Sequence, residues 1–256
     1  WDKADNIVDL SLLKDRNFVA GLIAIAAYGI TLFGAIALLP LLTERLLDYP
    51  AMTTGMLFVP RAAVSAISLA VTGGILLRLV DPRTLVAAGL VLSAVGTMVM
   101  AHLSLAVDAW GLIWPGLIAG AGMGLFFVPL TAVAFGSMPS NKLDEASGLY
   151  ALMRGIGSSI GIAVVSWLFV RQGQIHWQNL LSHINPFNPA LLPYQSTLGL
   201  DLQGAGSIAE VAREITRHAE MQAFNDLFWF IGWVTLATLP LLLLVKRPEA
   251  KGIIVV

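Results

Sequence analysis

The chain has 256 residues, of which 57% are hydrophobic and 12% charged, with a net charge of -1 and no cysteine; its mean hydropathy is +0.80. Soluble domains carry about a quarter charged residues, and a nucleic-acid partner needs a basic face, so the composition argues against both. Without cysteine there is no disulfide framework, thiolate metal site or cysteine nucleophile.

The opening stretch WDKADNIVDLSLLKDRNF is polar with an amphipathic end and shows no signal-peptide pattern. It is read as part of a loop inside a longer protein. Six apolar runs follow, at 18–40, 53–79, 84–102, 110–138, 146–170 and 224–245. Each is long enough to cross a bilayer core of ~30 Å at ~1.5 Å per residue. The runs are continuous rather than alternating, so they predict helices and not barrel strands. The fold class expected is all-α, an integral membrane bundle of six transmembrane helices.

Within the second run, Arg61 follows Pro60. A charge at that depth costs at least a few kcal/mol, so it faces the bundle interior, a partner or a wet cavity, or it snorkels to the surface along its stem. Asp81 and Arg83 fall in a tight turn before the third run, where they are expected to pair with helix ends.

The fourth run repeats small residues every fourth position at Gly116, Gly120 and Gly124, and the fifth does so at Gly157 and Gly161. Such faces let helix backbones approach closely. They serve static packing, or they let helices slide during a transport cycle. Pro115 and Pro129 join Pro60 as intramembrane prolines that remove helix hydrogen bonds and favour kinks. Arg154 lies nearer the other interface, with the same alternatives as Arg61. The string Gly157-Ser158-Ser159-Ile160-Gly161 matches G-x-S-x-G, but that motif needs a strand-to-helix elbow and a general base. Here it falls inside an apolar helix, and the four histidines lie elsewhere. No catalytic site and no metal site are expected.

A long polar stretch, 172–223, separates the fifth and sixth runs. Its Pro-rich middle, HINPFNPALLPY, cannot be one helix. Its two ends read as helical extensions, the second with Ser207 and Glu210 at capping-box spacing. Asp226 opens the last run, either as an acid at a helix start or as a proton-sensitive carboxylate. With an even number of spans both ends lie on one side. Nine Lys and Arg residues fall in the segments on that side against four on the other, which predicts cytoplasmic termini.

Several blocks together resemble a known family. VDLSLLKDRNFVAGLI, GMLFVPRAAVSA, FNDLFWF and above all LFFVPLTAVAFGSMPSNKLDEASGLYALMRGIGSSIGIAV resemble the C-terminal half of the 14-helix drug:proton antiporters of the major facilitator superfamily, the EmrB/QacA type. The turn GGILLRLVDPRTL is only a weakened copy of the superfamily's glycine–acid–base loop. The resemblance implies two inverted three-helix repeats and a fragment of a multidrug/proton antiporter. Such a protein exports small amphipathic or hydrophobic compounds by alternating access. The implied organisation is a cytoplasmic lead-in segment at 1–17, five helices over 18–171, a periplasmic loop at 172–223, a sixth helix at 224–245 and a cytoplasmic tail at 246–256.

The resemblance also implies a bacterial inner-membrane location and no cofactor beyond the proton gradient. Implied partners are the lipid bilayer, the N-terminal half of the same transporter and a small-molecule substrate, with a periplasmic adaptor and an outer-membrane channel as further candidates. Tyr28, Phe33, Arg61, Met123, Phe127 and Arg154 are the candidates for cavity or gate, and Asp226 is the coupling candidate. A structural membrane subunit that binds a partner through the long loop is the alternative.

Overall fold

Aspartates start three of the helices. Asp15 accepts from the N–H groups of Asn17 at 2.8 Å and Phe18 at 3.1 Å, opening α1 (Arg16–Pro40). Asp81 accepts from Arg83 N–H at 3.0 Å and opens α3 (Pro82–Met100), with Pro82 in the first turn. Asp108 accepts from Gly111 N–H at 2.9 Å and opens α4 (Ala109–Phe135). Each carboxylate satisfies donors that a helix start leaves open, and it complements the positive end of the helix. The remaining long helices are α2 (Ala51–Val71), α5 (Leu143–Ser182) and α6 (Ala205–Ala237). The computed structural model describes residues 10–136, 138–182 and 205–244. Within them, six helices are long and apolar enough to cross a membrane.

Irregular turns mark the helix ends. α1 passes into a π turn, Leu41–Leu46, where the missing N–H of Pro40 breaks the α pattern. α2 passes through a π turn at Thr72–Leu76, which holds Gly73 and Gly74, into a last turn at Leu77–Leu79. Beyond α6, the segment Leu239–Leu244 around Pro240 is 3-10 helix. Pro60, Pro115 and Pro129 all lie inside continuous helices. α6 begins at Ala205, so Ser207 is inside the helix rather than capping it. The Pro-rich stretch at 186–193 lies outside the described residues.

The packing has a partial internal symmetry. α1 packs chiefly on α5, and α4 packs on α2, which are equivalent pairs if helices 1–3 are exchanged with 4–6. α1 also meets α4, and α3 meets α6, each pair mapping onto itself. The symmetry breaks elsewhere: α3 packs most extensively of all on α4 while the counterpart pair α1 and α6 touches little, and α5 and α6 pack together whereas α2 and α3 share hardly any contact.

Two aromatic-centred clusters fill the bundle. The near end, where α1 starts, holds Phe18, Tyr28, Leu90, Phe126, Leu130 and Tyr150. The far end, which carries the α3–α4 turn, holds Leu42, Leu46, Met100, Phe169, Phe224 and Phe228. Lipid tails are as apolar as these side chains, so shape-matched packing and hydrogen bonds hold the helices together more than water exclusion does. Burial is uneven. Only 11% of the most apolar stretch of α2 and 22% of that of α5 is buried, against 61% for α1. α2 and α5 therefore flank the bundle, while α1 runs through it.

Candidate functional site

Tyr28 is the best-anchored of the candidate residues. It is 1% exposed, its ring stacks on Phe126 with centroids 3.9 Å apart, and Phe127 meets it edge-on at 5.6 Å. Its hydroxyl shares a 3.0 Å hydrogen bond with the Ser93 hydroxyl of α3. A buried phenol needs such a partner. Tyr28 thus joins α1, α3 and α4 in packed interior. Phe33, Met123 and Phe127 are half-buried against the same cluster and keep part of their surface open. Sequence reasoning missed Ser93 and Phe126, because neither differs in type from the many apolar and small residues around it.

Arg61 is half-buried beside α4. Its side chain passes Gly116 and Gly120 and reaches a narrow crevice bounded by Thr43, Phe58, Met100 and Leu112. Those residues belong to the far half of the bundle, so the guanidinium runs outward from the helix middle. Arg154 is exposed on α5. Among the described residues, no carboxylate forms an ion pair with either arginine.

The glycine faces meet two different helices. Gly116, Gly120 and Gly124 lie against α2, next to Arg61, Ser65 and Ser68. A side chain at Gly120 would come 2.8 Å from Arg61 O and from Ser65 Oγ. The close approach lets Ser68 Oγ donate to Ala121 O across the helices at 2.7 Å. Gly157 and Gly161 lie against α1, and a side chain at Gly161 would press on the Ile30 backbone, 2.7 Å from its Cα. Backbone meets backbone there, and only glycine permits it. The G-x-S-x-G string is part of this same helix, with Ser158 Oγ donating to Gly155 O at 2.8 Å.

Asp226 sits well inside α6 rather than at a helix start. It is exposed and bonded to His176 Nε2 of α5 at 2.7 Å. Nearby, Arg45 Nη2 pairs with Glu220 at 2.5 Å. Arg217 Nε donates to Leu46 O at 3.1 Å, and Asn225 Nδ2 donates to Leu103 O at 3.0 Å. α6 thereby satisfies carbonyls left open where α1 ends and where the α3–α4 turn begins. His176 as the partner of Asp226 was not legible, since the two lie fifty positions apart across the polar stretch.

Six apolar helices with glycine-smoothed contacts form this bundle, and residues 3–162 match the family described as Major Facilitator Superfamily. The chain belongs to that superfamily. It is 30% identical to the multidrug export protein EmrB of Escherichia coli (strain K12), over 98% of this chain and 50% of that protein. It is 28% identical to the fatty acid resistance protein FarB of Neisseria gonorrhoeae, over 98% of this chain and 50% of that one. The colistin resistance protein EmrB of Acinetobacter baumannii is 24% identical over 94% of this chain and 48% of its own length. The chain spans about half the length of the curated relatives it matches.

Proposed function

We propose that this chain is the C-terminal bundle of a proton-driven exporter of small amphipathic or hydrophobic compounds, working by alternating access in a bacterial inner membrane. One observation carries the reading: a stripe of small residues runs along the exposed side of α5. Gly148, Ala151, Gly155, Ser159, Ala163 and Ser166 recur every three or four positions and are all exposed. A side chain added at Gly148 or Gly155 would touch nothing, and the same holds at Gly55 of α2 and at Gly74 in the π turn that follows it. Lipid does not require small residues; a closely packed helix does. The coverage of half of each relative supports a second bundle as the occupant.

In this reading Arg154, exposed on α5, faces carboxylates, substrate or water supplied at the junction of the two bundles, and Arg61 serves as a gate candidate in the crevice beside α4. Tyr28 anchors the wall, and Phe33, Met123 and Phe127 give apolar contact with little directional demand, which suits broad selectivity. The acids that carry protons belong mainly to the other bundle, with Asp226 the candidate in this one. Both ends of the chain lie in the cytoplasm, as the Lys and Arg distribution favours. α5 spans 40 residues, about 60 Å at ~1.5 Å per residue, roughly twice a bilayer core. Its far part and the first part of α6 therefore stand out from the membrane, where a periplasmic adaptor has a surface to grip.

The test is proton-linked export in everted membrane vesicles carrying the complete transporter. Energised vesicles should accumulate a lipophilic dye and lose part of their pH gradient when it is added. Dye movement that ignores the gradient would remove the proton coupling, and no movement of any amphipathic compound would remove the exporter reading.

A further inference from the structure

Far-end tryptophans mark where the membrane surface falls. Trp110 and Trp114 open α4, Trp167 lies on α5, and Trp229 sits 6.0 Å from His102 of the α3–α4 turn; all four are exposed. Tryptophan concentrates at membrane–water boundaries because its ring is apolar and its N–H is not. Beyond this belt, the standing parts of α5 and α6 part to leave a cleft of about 550 Å³. That is the size range of small-molecule sites, ~300–1,000 Å³.

We propose that this cleft binds an amphipathic aromatic amine. Phe169, buried, and Trp177, half-buried, supply an aromatic floor. Gln174 and Gln178 stand one helical turn apart on one rim, exposed, and neither amide is engaged by a described residue. On the opposite wall Glu220 is 13% exposed at its side chain, with Oε1 held by Arg45. Its Oε2 has no hydrogen-bond partner among the described residues. An amine N–H donor fits that oxygen with a charge-assisted bond, while the ring lies on the aromatic floor. Arg45 and Glu220, the two charges lining the cleft, pair with each other, so the cleft carries no net positive charge to draw a simple anion. Gly173 leaves the gap: a side chain there would meet nothing within 4 Å. The site stands apart from the wall around Tyr28 and Arg61. It would receive compounds on the exit side, and in that respect it rests on the exporter reading.

The vacancy at Gly173 gives the experiment. Proflavine, a flat aromatic diamine, is titrated against the complete transporter in detergent and followed by fluorescence polarisation. Gly173→Leu grows a side chain into the cleft from a position where a Cβ meets no neighbour, so the protein should unfold at the wild-type temperature and lose one class of binding sites, or bind there ~10-fold or more weakly. Gly173→Ala should keep the site. Trp177→Ala and Glu220→Gln should each weaken it. Unchanged stoichiometry and affinity in Gly173→Leu would overturn the proposal, and so would weakened binding that Glu220→Gln and Trp177→Ala do not reproduce. Proton-linked export is scored separately in vesicles. A transporter that exports yet keeps all proflavine sites in Gly173→Leu rejects the cleft alone, whereas loss of sites without any export rejects the exporter reading alone.

Discussion

At the scale of single residues, Tyr28 and Arg61 show two ways of keeping polarity inside an apolar bundle. Tyr28 is sealed in, and its hydroxyl is satisfied by Ser93. Tyr28→Phe should cost ~1 kcal/mol, the net worth of such a bond, read as a lower unfolding temperature in detergent. Ser93→Ala should cost a similar amount. The double variant should cost little more than either single one, because both remove the same bond. Arg61 instead lies along a glycine-lined track with no acidic partner among the described residues. Arg61→Ala in the complete transporter should leave insertion intact and impair dye export several-fold. Equal drug resistance at equal expression would detach Arg61 from the transport path. Asp226 belongs to a third kind, exposed and paired with His176 where α5 and α6 meet.

At the scale of elements, α5 has two faces of the same composition and opposite roles. Gly157 and Gly161 are pressed against the α1 backbone, while Gly148 and Gly155 meet nothing. Gly161→Leu should therefore force α1 and α5 apart, at a cost of at least ~1–3 kcal/mol from overpacking, and lower the yield of folded protein. Gly155→Leu, two helical turns away, should leave this bundle as stable as before. Equal behaviour of the two variants in a thermal-unfolding assay would contradict the two-faced reading. The sequence makes the six helices legible because hydropathy and length decide a membrane span almost alone. Of the capping aspartates, Asp81 is legible from its tight turn before an apolar run. Which of two glycine faces is covered is not legible, since every fourth-residue spacing looks alike until a neighbour is placed. The pairs His176–Asp226, Arg45–Glu220 and Tyr28–Ser93 are equally hidden, because each depends on which helices come together and not on spacing along one helix.

At the scale of the whole molecule, the bundle is lopsided. α1, α3 and α4 are buried on several sides, while α2 and α5 flank it, and on α5 a stripe of exposed small residues runs between exposed bulky ones such as Leu152 and Ile160. In a membrane subunit meant to meet only lipid, bulky apolar residues would fill the small-residue stripe of α5 as well, at no cost. The smallness of the stripe fits a bundle that packs against a second one, and smooth faces on moving parts fit alternation between two packings. The far part of α5 and the first part of α6 carry the cleft at Gly173. The most direct measurement is a split-chain assay. This chain is expressed alone and beside the remaining half of a complete transporter as separate polypeptides, and co-purification and dye export are recorded. The account predicts that the chain alone exports nothing, that the two halves co-purify and restore export, and that Gly155→Leu in this chain abolishes the pairing while the bundle still folds. Export by this chain alone, or undiminished pairing of the Gly155→Leu chain, would contradict it.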